Sequence, residues 1–299
     1  MDACRDVGLR AFVGRCQMDR NAPAAYCEAD AKTSCEQTRE LIAYATELCP
    51  DALVQPILTP RFALCCTPEL LSGIADIARE HPESTRKLTV RIQTHISENK
   101  AEITATLDHF PEASSYTNVY DRFGLVSDRT ILAHAIHLGE DEIDTLVARR
   151  CGVSHCPTSN LGLRSGFFRL DHMLDRGVNV GLGTDVSAGY SLSMQQAVRD
   201  ASTVTKIIAM HDSVEPRVSL SALFYLATLG GAHVCGLQTR IGSFAVGKEF
   251  DAIRVNSGDP SITETLQRRF WRWLVCGDER EIEATFVRGV RVWCASDLL

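Results

Sequence analysis

His95 and Glu98 stand three residues apart in "VRIQTHISENKAEI", directly after an apolar run. A lone histidine at the end of such a run is most often a surface residue or a satisfied core residue. The pair carries little by itself; its weight lies in repetition. Thr59, Pro60 and Arg61 close the apolar run before it, and His134 and His137 close the run after it. His155 with "CPTSN" ends a fourth run and Asp185 a fifth. Zinc and iron(II) take neutral imidazole nitrogens and carboxylate oxygens, and a hydrolytic site keeps one position open for water. A cation of this kind brings the pKa of its water to about 7, so hydroxide exists at neutral pH. A carboxylate one step away can carry the released proton to the leaving side of a substrate. His95, His134 and Asp185 are therefore the candidate metal ligands and Glu98 the candidate general acid–base. The competing reading makes each residue a cap or half of an ion pair. It is adequate for any one of them and poor for the set.

Such residues need a frame that gathers their strand ends. The apolar runs at 9–18, 52–60, 88–95, 129–137, 151–160 and 178–186 read as strands, the first of them short and buried. Helical patterns lie between them: within 21–48, over 67–81, from Asn99 onward, over 140–150 and over 167–177. Thr67 followed by Pro68 is a helix start, and Gly177 is a helix stop. Alternating strands and helices imply an α/β fold, a parallel sheet covered by helices. Ionisable residues at the C-terminal ends of successive parallel strands are the pattern of a barrel active site. A helical segment at 219–237 ends in glycine, and the texture then changes. The stretches 240–256 and 281–293 read as short strands with glycine turns. The expected division is a barrel over 1–238 and a small β element over 239–299. Gly181, Gly183 and the Gly230–Gly231 pair read as sites of tight packing rather than phosphate binding. The run "RRFWRW" at 268–273 reads as a solvated helix face.

Bulk properties narrow the function. The chain has 299 residues, 45% hydrophobic and 23% charged, with a net charge of −7. No basic stripe is present, which argues against a nucleic-acid polymer as partner. No apolar run reaches the roughly 18 residues of a membrane helix, and "MDACRDVGLR" has no signal-peptide core. The twelve cysteines contain no C-x-x-C spacing. Free buried thiols in a cytoplasmic protein are the expectation.

The segments "ILTPRFALCC", "QTHISENKAEI", "SYTNVYDRFGL", "ILAHAIHL", "SHCPTSNLGL", "GVNVGLGTDV", "LATLGGAHVCGL" and "KEFDAI" together resemble the guanine deaminase family, zinc enzymes of the amidohydrolase superfamily. The resemblance covers essentially the whole chain. It implies metal-assisted deamination of guanine to xanthine and ammonia on a (β/α)8 barrel, with hydroxide attacking the ring carbon that bears the amine. It implies one Zn2+ per site, with Fe2+ as the alternative, held by His95 and Asp185, with His134 as a ligand or an immediate neighbour. Glu98 would carry a proton from water to a ring nitrogen, and Asp185 would help deprotonate the water. Arg61 and Phe62 match the family's base-binding pair, with His95, Glu98 and Asp185 also facing the substrate. The chemistry agrees: a guanidinium can donate to guanine O6 and N7, and an aromatic face can stack on a purine. The plainer alternatives are a surface ion pair for Arg61 and a core position for Phe62. "HCPTSN" is expected to shape the pocket wall through its backbone or to be a simple turn, and His137 to lie behind the site or on the surface. The partner implied is a small molecule, with no membrane, and a homodimer is left open.

The pattern departs from the family at one place. The family's first barrel strand ends in His-x-His, which gives two ligands, and a nearby glutamine contacts the base. No two of the nine histidines here are separated by one residue. The expectation is an amidohydrolase-type barrel incomplete at its N-terminus, with about six of eight βα units and part of a small β-sandwich domain at the C-terminus. Two other functions stay open. One is an inactive relative kept as a partner subunit, or a fragment. The other is an amidohydrolase acting on a different azaheterocycle, which "TPRF" and "THISEN" disfavour.

Overall fold

The computed structural model describes residues 1–49, 51–82, 90–256, 258 and 264–298. Residues 88 and 89 of the expected strand 88–95 lie outside these.

The main sheet is parallel throughout. Its strands are β1 (Ala11–Val13), β2 (Cys16–Gln17), β3 (Val54–Pro60), β4 (Arg91–Ile96), β5 (Thr130–His134), β6 (Gly152–His155) and β7 (Asn179–Leu182). Their order is β1-β3-β4-β5-β6-β7, and β2 also pairs with β3. Because β1 and β2 both lie along β3, the sheet has six staves, as the sequence predicts. The run 9–18 is two short, half-exposed strands rather than one buried strand. The chain presses onto β3 at Gly14, where a Cβ would lie 2.2 Å from the Ile57 carbonyl oxygen. It pairs again at Cys16, opposite Thr59. The run 151–160 also splits, since β6 stops at His155 and Pro157, which has no N–H for a ladder, opens a helix.

The helices are α1 (Asp2–Asp6), α2 (Ala31–Leu48), α3 (Pro68–Glu80), α4 (Lys100–His109), α5 (Tyr116–Arg122), α6 (Glu140–Arg149), α7 (Pro157–Gly162), α8 (Leu170–Asp175), α9 (Met194–Asp212), α10 (Leu220–Tyr225), α11 (Gly231–Val234) and α12 (Leu266–Cys276). Local chemistry sets their ends. Asp30 caps α2, and Thr67 caps α3 with Pro68 in its first turn. The spacing of Leu70, Leu71, Ile74 and Ile77 puts one face of α3 wholly into the core. That core also takes Leu58, Ile92, Leu132, Val153 and Val180, one or more from each strand β3 to β7. The glycine reading holds at Gly181, where a Cβ would sit 2.9 Å from the Gly231 Cα. Backbone meets backbone there as the segment at α11 crosses β7.

The C-terminal region contributes one antiparallel sheet, β8 (Ala252–Val255), β9 (Ile282–Val287) and β10 (Val290–Cys294), in the order β10-β9-β8. Of 240–256 only the last few residues are strand; the preceding turns use Gly242 and Gly247, each at φ +90°. "RRFWRW" is only half a solvated face. Arg268 and Arg272 are exposed, but Trp273 is buried and Phe270 and Trp271 pack on the core. All twelve cysteines are free thiols; most are buried, while Cys16 and Cys276 are exposed. Among the described residues no helix is long and apolar enough to cross a membrane.

An ion cluster ties β1 to the segment that leads into β8. Arg10 reaches Glu249 at 2.5 Å and Asp251 at 2.7 Å, while Arg240 and Arg288 reach Glu249 at 2.6 and 3.0 Å. Burial would raise the Glu249 carboxyl, but the hydrogen bonds from Arg240 and Arg10 outweigh it and hold the group at about 2. The folded pKa lies below the unfolded value of about 4.3, so this stabilisation is present above the unfolded pKa and fades as pH falls toward 2. Glu249→Gln should therefore lower the denaturant midpoint near neutral pH, and the gap from wild type should narrow at pH 3. A gap unchanged between the two pH values would contradict this role.

Candidate metal and catalytic centre

The sheet register brings the first two candidate ligands together. Ile96 pairs with His134 and His95 with Ala133, so the two imidazoles leave neighbouring strand ends one step apart. Their rings stack with centroids 5.2 Å apart. Asp185 follows β7, and a ligand atom from each of His95, His134 and Asp185 falls within 4.8 Å of the others. His95 Nδ1 lies 2.6 Å from the Arg61 carbonyl oxygen. A carbonyl only accepts, so Nδ1 carries the proton and Nε2 keeps its lone pair. His134 Nε2 is buried and has no hydrogen-bond partner among the described residues. It lies 3.8 Å from Asp185 Oδ2 and 3.9 Å from Glu98 Oε2. An orphaned buried nitrogen between two carboxylates, beside a second free imidazole nitrogen, is a donor set that fits zinc or a similar divalent cation. Burial, and then the neighbouring His134, push His95 below its ordinary pKa and favour the neutral form that a ligand needs.

The backbone at these strand ends is held in uncommon conformations. His134, Ala135, Ser97 and Asp185 have φ of +70°, +52°, +49° and +49°. Non-glycine residues reach this left-handed region only where the surroundings over-determine it. At β4 and β5 the restraint is a crossed set of backbone bonds: Ala135 N–H donates to Ile96, and Ile136 and His137 N–H both donate to Ser97. At Asp185 it is a tight turn. Gly189 N–H donates to the Asp185 carbonyl at 2.6 Å, and the Thr158 hydroxyl donates to the Thr184 carbonyl at 2.9 Å. A Cβ on Gly189 would lie 1.8 Å from the Thr184 oxygen, so the turn requires glycine.

Glu98 stands just before α4. The Glu102 carboxylate accepts from the Glu98 and Asn99 N–H groups, and Asn99 caps the helix in return. Oε1 of Glu98 accepts from the Ser165 hydroxyl at 2.8 Å. His137 does not reach the cluster; its Nε2 donates to the Ser165 carbonyl at 2.8 Å and so lies behind Glu98. His155 also stays apart from the cluster. It is fully buried and stacks on Phe168 at 4.5 Å, and burial with the nearby His134 pushes it down to about 3.

Arg61 and Phe62 follow β3 at the same end of the sheet. The guanidinium carbon lies 5.3 Å from the Phe62 ring centre, and Nη1 lies 3.7 Å from Met18 Sδ. The Phe62 ring meets His95 edge-on at 6.0 Å. Arg61 is exposed and no carboxylate pairs with it among the described residues, while Phe62 is half-buried.

Three residues for which the sequence predicts no individual role support the site. Tyr120, on α5, accepts from the Ala63 N–H at 2.8 Å, donates to the His95 carbonyl at 2.9 Å and shares a bond with Thr94 Oγ1 at 2.8 Å. It joins the segment after Phe62 to the end of β4. Asn160, on α7, meets His134 Nδ1, and Ser165 meets Glu98. Tyr120 lies inside "SYTNVYDRFGL", but its spacing from Tyr116 reads equally as an ordinary core stripe.

A profile of the amidohydrolase family matches residues 1–292. The chain is 43% identical over 298 residues to a probable guanine deaminase of Schizosaccharomyces pombe, covering 96% of this chain and 55% of that protein. Among solved structures it resembles Escherichia coli guanine deaminase, with a TM-score of 0.87 at 32% identity over 98% of this chain and 66% of the other. It also resembles guanine deaminase from C. acetobutylicum with guanine bound in the active site, with a TM-score of 0.88 at 32% identity over 98% and 67%. The chain thus spans a little over half of the Schizosaccharomyces pombe relative's length and about two thirds of the two solved chains.

Tyr120→Phe removes one hydroxyl and leaves the buried Ala63 N–H unpaired. It should cost about 1–3 kcal/mol of stability by urea unfolding. An unchanged unfolding midpoint would mean that Tyr120 does not hold the strand end.

Proposed function

This chain belongs to the amidohydrolase family, and we propose that the protein deaminates guanine hydrolytically to xanthine and ammonia. The observation that carries this reading is the convergence of His95, His134 and Asp185, with Glu98 beside them and the Arg61–Phe62 pair at their edge. The likeness to a deaminase with guanine bound supports the choice of substrate. The proposed cation is zinc, with iron(II) as the alternative. The proposed compartment is the cytosol, in keeping with twelve free thiols.

His95, His134 and Asp185 would hold the cation. When bound, it supplies Lewis-acid chemistry and makes hydroxide available from water near neutral pH. The remaining work belongs to side chains. Asp185 accepts a proton at its carboxylate as water is activated. Glu98 moves a proton from that water to a ring nitrogen of guanine, which makes the amine-bearing carbon electrophilic, and the proton taken by Asp185 passes to the amine as the C–N bond breaks, so that it leaves as ammonia. Ser165 occupies Oε1 of Glu98, so Oε2, the oxygen nearer His134, is the one free for this traffic. Arg61 has donors unclaimed by any carboxylate among the described residues, and a guanidinium suits guanine O6 and N7. Phe62 offers a face for the purine and keeps water from it.

Two substitutions test the assignment. Glu98→Gln keeps the shape and removes the exchangeable proton; turnover of guanine should fall by at least about 10²–10⁴-fold with zinc content unchanged. Xanthine formation near the wild-type rate would remove Glu98 from the mechanism. Arg61→Ala should raise KM for guanine and erode its preference over adenine, again without loss of metal. An Ala variant that still selects guanine as wild type does would show that another group reads the base.

A further inference from the structure

The Glu98 side chain is half-buried, and among the described residues its carboxylate receives one hydrogen bond, from the Ser165 hydroxyl to Oε1 at 2.8 Å. Oε2 lies 3.9 Å from His134 Nε2, too far for a hydrogen bond. A glutamate side chain turns about three torsions, the last of them broad and two-fold. Without an anchor such a carboxylate spreads over several positions. A general acid–base has to stay within hydrogen-bond reach of the groups it serves.

The anchor is held from both sides. Ser165 N–H donates to the Asn160 carbonyl at 2.9 Å, on α7, and the Ser165 carbonyl accepts from His137 Nε2 at 2.8 Å. That nitrogen bears a proton in the neutral tautomer this bond selects and in the imidazolium, so the bond does not depend on the charge of the ring. Gly166 lies flat on the same ring. A Cβ there would sit 3.1 Å from His137 Nε2 and 3.0 Å from Ile136 Cγ2, and its φ is +143°. His137 N–H donates in turn to the carbonyl of Ser97, the residue before Glu98, at 3.1 Å. The contacts close a circuit: Ser97 to the His137 backbone, the His137 ring to Ser165, and the Ser165 hydroxyl to Glu98. The main chain beside Glu98 and its carboxylate thus both lead back to His137. Two main-chain bonds already fasten the strap at Ser165, so what its hydroxyl adds is the hold on Glu98.

We propose that His137 and Ser165 form a clamp for Glu98: Ser165 is a positioning residue that pins Oε1, and His137 sets Ser165, so that the carboxylate meets water and guanine through Oε2 alone. The clamp stands on the contacts themselves; its catalytic purpose rests on the deamination reading above.

Crystal structures and steady-state kinetics of the full chain test this together, for wild type, Ser165→Ala, Ser165→Thr and His137→Phe, with zinc content measured for each. Ser165→Ala should keep its zinc and spread the Glu98 carboxylate over more than one orientation. It should lower kcat for guanine about 10–100-fold with KM unchanged, because Ser165 acts on Glu98 rather than on the purine. Ser165→Thr keeps the hydroxyl and should restore a single orientation and most of kcat. His137→Phe should act in the direction of the Ala variant by releasing the strap. A serine with a merely structural task would change the unfolding midpoint and leave kcat and the Glu98 orientation as in wild type, and that result overturns the proposal. So does a wild-type crystal in which the Ser165 hydroxyl turns away from Glu98, whether or not the variants fold. Failure of the deamination reading looks different: zinc-loaded wild type would leave guanine intact while Ser165→Ala still released the carboxylate, which upholds the clamp and removes only its purpose.

Discussion

The parallel register of β5 on β4 is the constraint on which the site depends. Ile92 to Ile96 pair in step with Thr130 to His134. Strict alternation with a period of two would put His134 on the enclosed face with Leu132, opposite His95; the left-handed backbone of His134, at φ +70°, stands where that alternation ends. The register is itself enforced by burial. Ile92, Ile96 and Leu132 are wholly enclosed by the helical layer, and exposing them would cost roughly 1.5–3 kcal/mol each. Packing behind the sheet therefore fixes which atoms meet in front of it.

A second layer refines what the register allows. Segment 155–166 supplies most of it: Thr158 to the Asp185 turn, Asn160 to His134 and Ser165 to Glu98. Tyr120 performs the matching task for His95. Alongside them, backbone bonds to Ile96, Ser97 and Asp185 accompany the left-handed conformations of several non-glycine residues at these strand ends. The electrostatic result is a His95 pushed toward its neutral form and a His134 nitrogen without a hydrogen-bond partner among the described residues, beside two carboxylates, an arrangement that a cation would complete.

The site's donors were legible in the sequence because each sits at the end of an apolar run, and a strand's end is where its side chains escape the core. The βα alternation was legible for the same reason. Boundaries were less so. The run 9–18 reads as one strand, but its break comes from a close approach of Gly14 to Ile57, a contact between distant residues. The run 151–160 hides a helix behind apolar and small residues, and only Pro157 hints at it. Tyr120 and Ser165 carried no local signal, and Asn160 stood out only as part of "HCPTSN", since each acts through a hydrogen bond to a residue between 25 and 67 positions away. The "RRFWRW" face misled because its three arginines are interleaved with the three aromatic residues that pack inward.

Anomalous diffraction at the zinc edge, on crystals of the chain soaked with zinc and guanine, addresses the convergence of three strand ends most directly. One peak is expected about 2.0–2.2 Å from His95 Nε2, His134 Nε2 and an Asp185 oxygen, with the purine lying between it and Arg61. Zinc found only on cysteine thiols, or absent from an otherwise unchanged strand-end cluster, would contradict the metal centre and the deamination chemistry that depends on it.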